Sequence, residues 1–293
     1  EHPEECDYCI LFYAAFDQLE KLFGTAKKNF TSKEIEQRID IMEKGKENII
    51  AYKQQVFRHW ISSGTWSKYY QQKKPNQVIV VMDFAMKWLD KKDRETQPEW
   101  FGKKGTSWMA IAYERMKETD NGWVIETEVH IQVLNNTTRQ DSKSVVALVL
   151  ASLKLYKVMH PEIDEAIFSA DNAGCYHCED TVRQLWSQRK SVPGMTLLGL
   201  HFGEPGKGKS ICDQYFAILK ALAARFICAG NCADTPKKFA EAMCYGEGVA
   251  NTVIMLGDII DPMEGEKEKS AKIENISKYH EFLFSDEGIQ MRY

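Results

Sequence analysis

Three aspartates sit where their carboxylates could work together. Asp83 closes the apolar run QVIVVMDF, Asp171 follows the run EAIFSA, and Asp213 opens a helical pattern after the run MTLLGLHF. Clustered carboxylates repel and raise one another's pKa unless cations neutralise them. Hard oxygen donors of this kind suit Mg²⁺ or Mn²⁺, which keep waters and accept substrate phosphate oxygens. Two such ions about 4 Å apart can activate a water or 3′-hydroxyl and stabilise the leaving oxygen of a phosphodiester. The expected chemistry is metal-dependent phosphodiester cleavage or strand transfer, with Asp83, Asp171 and Asp213 as catalytic and metal-binding acids. Glu204, directly after the MTLLGLHF run, is an alternative third acid. Taken singly, each acid also reads as a turn or helix-cap residue, and Asp213 in particular as an N-cap.

That chemistry needs elements that bring three distant positions to one point. Gln77 to Phe84 reads as a strand buried on both faces. Trp108 to Met116 and Trp123 to Leu134 read as two more strands, with Asn121-Gly122 a hairpin signal between them. Ser142 to Val158 is helical by period, Glu165 to Ala170 a fourth strand, and Glu179 to Arg189 a short helix. Met195 to Phe202 is a fifth strand, followed by a helix from Asp213 to about Cys228. This is the element order of a ribonuclease H-like α/β fold: a mixed five-stranded sheet, order 3-2-1-4-5, flanked by helices. The carboxyl ends of adjacent parallel strands meet at one edge, which would put Asp83 beside Asp171 and let the last helix present Asp213.

The flanks differ in character. Ile10, Leu11, Tyr13, Phe16, Leu19 and Phe23 lie on one helical face, and a second amphipathic pattern runs from Thr31 to about Ser62. The expected organisation is an N-terminal helical region over 1–75, a catalytic core over 76–245 and a C-terminal acidic extension over 246–293. Pro262 to Glu274 reads as a flexible loop. From Asp258 onward lie nine of the 42 acids but five of the 38 basic residues, so residues 1–257 carry equal numbers of each. With 44% apolar residues the chain is globular rather than disordered. Nucleic acid would have to meet a local basic patch rather than a global positive field. No apolar run approaches the ~18 residues of a membrane span, and the first residues lack a signal-peptide pattern. The eight Cys read as reduced thiols. These features lead to the expectation of an intracellular protein, nuclear or cytoplasmic, without a membrane partner.

The blocks VVMDFAMKWLDKKDRETQPEWFGKKGTSW, FSADNAGCYH and FGEPGKGKSICDQYFAILK resemble a group of transposase-derived metazoan proteins with a ribonuclease H-like (DDE/D-type) catalytic domain. The resemblance covers about Arg58 to Tyr293. It implies that Asp83, Asp171 and Asp213 take the three acid positions, with Asn172 and His177 flanking the second. The sequence departs from the family pattern at Phe84, where Trp is usual, and in the spacing of the Gly/Lys loop. Neither change removes a carboxylate. A domesticated copy can keep the acids yet act only as a catalytically silent nucleic-acid-binding or protein-interaction module, which is the alternative function.

Other residues could contact the substrate, expected to be DNA. Lys87, Arg94, Lys103 and Lys104 interleave with Trp88, Trp100 and Trp108, the parts of a surface that neutralises phosphates and stacks on bases. The plainer reading buries these Trp residues. Lys207 and Lys209 belong to a Gly/Lys loop beside Asp213 that lacks P-loop spacing. Their functional reading is phosphate contact, and for His177 it is a phosphate or water contact. Cys6 and Cys9 have the spacing of half a Zn²⁺ site, with no evident full ligand set nearby. The oligomeric state is not legible.

Overall fold

The computed structural model describes residues 7–72, 74–89, 91, 105–134, 140–203, 210–259 and 273–292. It divides into two compact units, Glu1–Ser67 and Lys68–Tyr293. The first unit holds helix α1 (Asp7–Ala26) and most of the long helix α2 (Ser32–Gln72). The two run antiparallel: the Lys53 ammonium lies against Cys9 Sγ at 2.9 Å, and Lys46 pairs with Glu20. Glu34 reaches back to the backbone N–H and hydroxyl of Thr31, which starts α2.

The second unit is built on one mixed sheet. Strand β1 (Gln77–Phe84) pairs antiparallel with β2 (Trp108–Thr119), which pairs antiparallel with β3 (Gly122–Leu134). On its other side β1 runs parallel to β4 (Glu165–Ala170), and β4 parallel to β5 (Thr196–Phe202). The order 3-2-1-4-5 of a ribonuclease H-like core is therefore present. It is not the whole sheet, however. Strand β6 (Thr252–Gly257) adds parallel to β3, while β7 (Glu281–Phe284) and β8 (Ile289–Arg292) extend the far edge beyond β5. Eight strands stand in the order β6-β3-β2-β1-β4-β5-β7-β8. Three segments read as part of an acidic extension thus belong to the sheet, β6 and β8 at its edges and β7 between β5 and β8. Most of the expected flexible loop, residues 262–274, lies outside the described residues.

Alternation along the strands sends side chains to two separate cores. Val78, Val80, Met82, Phe168 and Ala170 join the core under α3 (Ser142–Met159) and α4 (Glu179–Ser187). On the other face Trp108, Ala110 and Ala112 pack with α5 (Ile211–Cys228) and α6 (Pro236–Met243). The helices start on recognisable caps. Asp141 accepts from the Ser144 backbone N–H at 2.9 Å to begin α3, and Thr235 accepts from Lys238 N–H at 3.2 Å to begin α6. The first core also encloses a satisfied polar chain. Ser152 Oγ stands 2.6 Å from the Tyr113 hydroxyl and 2.8 Å from His130 Nδ1, and Glu128 accepts from both His130 and His160. Burial holds His130 below the usual imidazole range, so the chain of bonds pins α3 to β2 and β3.

Candidate active site

The parallel register between β1 and β4 fixes the first two acids. Each residue of β1 faces the residue 88 positions later, from Gln77 opposite Glu165 to Met82 opposite Ala170. The next position on each chain is Asp83 and Asp171. They stand on neighbouring strands, which lie about 4.8 Å apart. Val80 and Met82 enter the first core, so Asp83 projects from the opposite face, the one that α5 covers.

The first turn of α5 is seated on that same row. Cys212 is fully buried and directs its thiol at the carbonyls of Val81 (3.5 Å) and Ala110 (3.8 Å), the latter the cross-strand partner of Asp83. Asp213 follows directly. Burial first, then the charge of Asp171 and then that of Asp213, pushes the Asp83 carboxyl up to about 7. The part-buried Asp83 carboxyl therefore feels the two exposed acids beside it. Cys175 lies close enough to share the effect: burial, then Asp171, pushes its thiol up to about 11, which leaves it protonated and a poor metal ligand at neutral pH.

Two of the acids also have local duties. Asp171 Oδ1 accepts from the Ala173 N–H at 2.9 Å, closing the turn after β4. Asp213 is not the N-cap of α5 but its third residue, in a capping box with Ser210. Ser210 N–H donates to Asp213 Oδ2 at 2.8 Å, and Ser210 Oγ accepts from Asp213 N–H at 3.4 Å. Ser210→Ala should therefore cost about 1 kcal/mol of stability, read as a lower urea midpoint. A midpoint that does not move would show that the box contributes nothing. Among the described residues, no group of three or more His, Cys, Asp or Glu side chains is arranged to hold a metal ion.

Around the second acid the side chains are engaged within the fold. Asn172 Nδ2 donates to the Gly203 carbonyl, and His177 Nδ1 stands 2.6 Å from Asn172 Oδ1. His177 Nε2 faces the Ile276 carbonyl at 3.0 Å, and its ring stacks on Phe202 at 4.1 Å between centroids. Burial lowers its pKa, so it stands as a neutral anchor between β5 and the C-terminal segment. Tyr176, not singled out from the sequence, is buried beside the acids and stacks on Phe84. It was visible in the FSADNAGCYH block as the one large aromatic next to His177.

The aromatic half of the interleaved stretch divides. Trp88 and Trp108 are core residues, 6% and 0% exposed, packed on Phe239. Their indole N–H groups donate to the carbonyls of Ala233 and Met86, so neither is available to stack on a base. Lys87 is exposed just beyond β1. Arg94, Trp100, Lys103, Lys104, Glu204, Lys207, Lys209 and Cys6 lie outside the described residues. Cys9 is buried with the Lys53 ammonium on its sulfur, a cation already beside the atom that would ligate zinc.

Strand order and connectivity define a ribonuclease H-like α/β unit whose acids gather at the carboxyl ends of β1 and β4. No family model matches the chain, and no curated protein sequence matches it. Among solved structures, the Mn-soaked nuclease domain of the human cytomegalovirus terminase is similar at 10% identity over 53% of this chain and 61% of that one, with a TM-score of 0.27. The Mos1 transposase paired-end complex with left transposon end is similar at 12% identity over 62% and 57%, with a TM-score of 0.29. The chain spans about three-fifths of each. At such TM-scores the fold class rests on the strand order and not on these likenesses.

Proposed function

We propose that the second unit is a metal-dependent nuclease or transposase-type domain that cleaves phosphodiesters or transfers strands, acting on nucleic acid and preferentially DNA. The single observation that carries this reading is the β1–β4 register, which sets Asp83 beside Asp171 under the first turn of α5. Asp83, pushed up to about 7 by burial and then by the charges of Asp171 and Asp213, belongs to a donor set whose repulsion a divalent cation relieves. Oxygen-only donors fit Mg²⁺ or Mn²⁺. Asp83, Asp171 and Asp213 would hold the ions, with Glu204 the alternative to Asp213. Bound metal supplies Lewis-acid activation of the attacking oxygen and charge neutralisation at the leaving one.

The chain's own residues set the stage for that chemistry. Tyr176 and Phe84 stack together in the first core next to the row, and the capping box orients Asp213. Lys87, at the exposed edge, would neutralise a phosphate of the incoming strand, together with Arg94, Lys103, Lys104, Lys207 and Lys209. Trp100 would supply stacking, while Asn172 and His177 brace the turn that carries Asp171. The sequence blocks fit a transposase-derived origin.

Titration calorimetry with Mn²⁺ at neutral pH tests the metal site. The wild type should take up Mn²⁺ with release of protons, and a variant carrying both Asp83→Asn and Asp171→Asn should take up none. Equal uptake by both proteins would sink the assignment. The engagement of Asp171 and Asp213 in local hydrogen bonds, and the lack of a preformed metal cluster among the described residues, favour a second reading. In that reading the unit is a catalytically silent nucleic-acid-binding or protein-interaction module. It predicts nucleic-acid binding that survives both EDTA and loss of the acids, with no cleaved product.

A further inference from the structure

Helix α2 carries an apolar face that is largely exposed to solvent. At 3.6 residues per turn, Ile41, Gly45, Ile49, Tyr52, Val56 and Trp60 fall within an arc of about 100°. Ile41, Tyr52 and Trp60 are 68%, 58% and 73% exposed, and Ile49 and Val56 are also open to solvent. No Asp, Glu, Lys or Arg falls in that arc between residues 41 and 60. The charged residues that meet α1, Lys46 and Lys53, lie outside the arc, about 90° and 70° from its centre. Six aligned positions over about 30 Å of helix exceed the scattered apolar exposure of an ordinary surface.

The order of these residues is self-complementary. About a centre between Ile50 and Ala51, Ile41 mirrors Trp60, Gly45 mirrors Val56, and Ile49 mirrors Tyr52. An antiparallel copy laid on the face would therefore set Ile against Trp, Gly against Val and Ile against Tyr, the reciprocal contacts of a two-fold isologous interface. Gly45 fits this arrangement. In a helix interior Gly weakens the helix, and in the single chain nothing lies within 4 Å of where its Cβ would stand. Opposite Val56 of another copy, it gives that side chain room. A stable interface buries about 800 Å² on each partner, more than one helix face supplies. Exposed Leu11, Leu19 and Leu22 of α1 widen the surface. In an antiparallel helix pair, stripes offset by equal angles from the shared seam fall on the same side. Nucleic acid, which needs basic side chains, does not fit an uncharged face.

We propose that the chain forms a two-fold symmetric dimer in which α2 packs antiparallel on α2 of a second copy, with Ile41 against Trp60, Gly45 against Val56 and Ile49 against Tyr52. The occupant of the face is a second copy of this chain. The proposal stands apart from the acid row, and Asp83→Asn should leave the dimer unchanged.

Light scattering on the full chain after size exclusion tests it. The wild type should give twice the 33.7 kDa chain mass. The triple variant Ile41→Glu, Tyr52→Glu, Trp60→Glu should give the single-chain mass with an unchanged circular dichroism spectrum. Register is tested by two further variants, Ile49→Lys and Tyr52→Glu. Each should weaken self-association at least tenfold, and mixing them should restore a dimer, because each sets its new charge opposite the other's. If the triple variant fails to fold, the mixing experiment decides. A wild type that runs as a single chain at every concentration, a triple variant that still dimerises, or a mixture no tighter than its components would each overturn the proposal.

Discussion

Replacing Asp83 with Asn should lower Mn²⁺-dependent cleavage of a DNA substrate by on the order of 10³-fold, and Asp171→Asn should do the same. Metal at such a site supplies several kcal/mol of charge stabilisation in the transition state, and each 1.36 kcal/mol is about tenfold in rate. Removing a carboxylate that would hold the ions forfeits that stabilisation while keeping the side-chain volume. Substrate affinity in EDTA should hardly change, because the acids do not attract phosphate. Asp213→Asn and Glu204→Gln, compared side by side, identify the third acid: only the true one falls with Asp83 and Asp171. Cleavage that persists in both the Asp83 and Asp171 variants would refute the catalytic reading. Binding without any cleavage by the wild type would favour the silent module.

The second large effect is on stability without metal. The Asp83 carboxyl titrates near 7 in the folded chain, against about 3.9 in an unfolded one. Between those values the native state keeps a proton that the unfolded state has released. Stability therefore falls as pH rises from about 4 to about 7 and levels off above. Asn has no proton to lose. In EDTA at about pH 3.5, below both titrations, Asp83→Asn should match the wild type; at pH 8 it should be more stable by on the order of 2 kcal/mol, after discounting the full shift for partial exposure of the row. Urea denaturation at the two pH values measures the difference. A variant that is equally displaced at both pH values would show that no proton is involved. Mn²⁺ should reverse the ranking at pH 8, since a ligand that binds only the native wild type stabilises it by mass action.

Much of the sheet was legible because its central strands are continuous apolar runs with sharp ends. Gln77–Phe84 and Glu165–Ala170 are such runs, and their structural bounds coincide with the sequence reading. Strands β6, β7 and β8 were not legible. They are four to six residues long, sit among Gly turns and charges, and gain their stability from pairing with an edge already built. Trp88 and Trp108 could not be apportioned between base stacking and core, because composition near lysines says nothing about which face of the chain is covered. Phe239, more than 130 residues downstream, settles it for both. The pairing of Asp83 with Asp171 followed from topology alone. The capping role of Asp213 was written in the Ser210-to-Asp213 spacing, where the helix start was read two residues late.

The sheet's two outer edges are laid down by segments that follow all five central strands in the chain. β6 flanks β3 at one side, β7 and β8 flank β5 at the other, and all three follow residue 251. On the ribosome the five central strands are complete once Phe202 has emerged, while their outer backbone groups still lack partners. At 5–20 residues per second, the stretch from Phe202 to the end of β8 at Arg292 takes on the order of ten seconds to make. Throughout that interval a nascent chain presents two unprotected β-edges to its neighbours on the same polysome. Synthesis rate and chaperone supply, rather than the strength of the finished core, would then set how much of this protein reaches its native state.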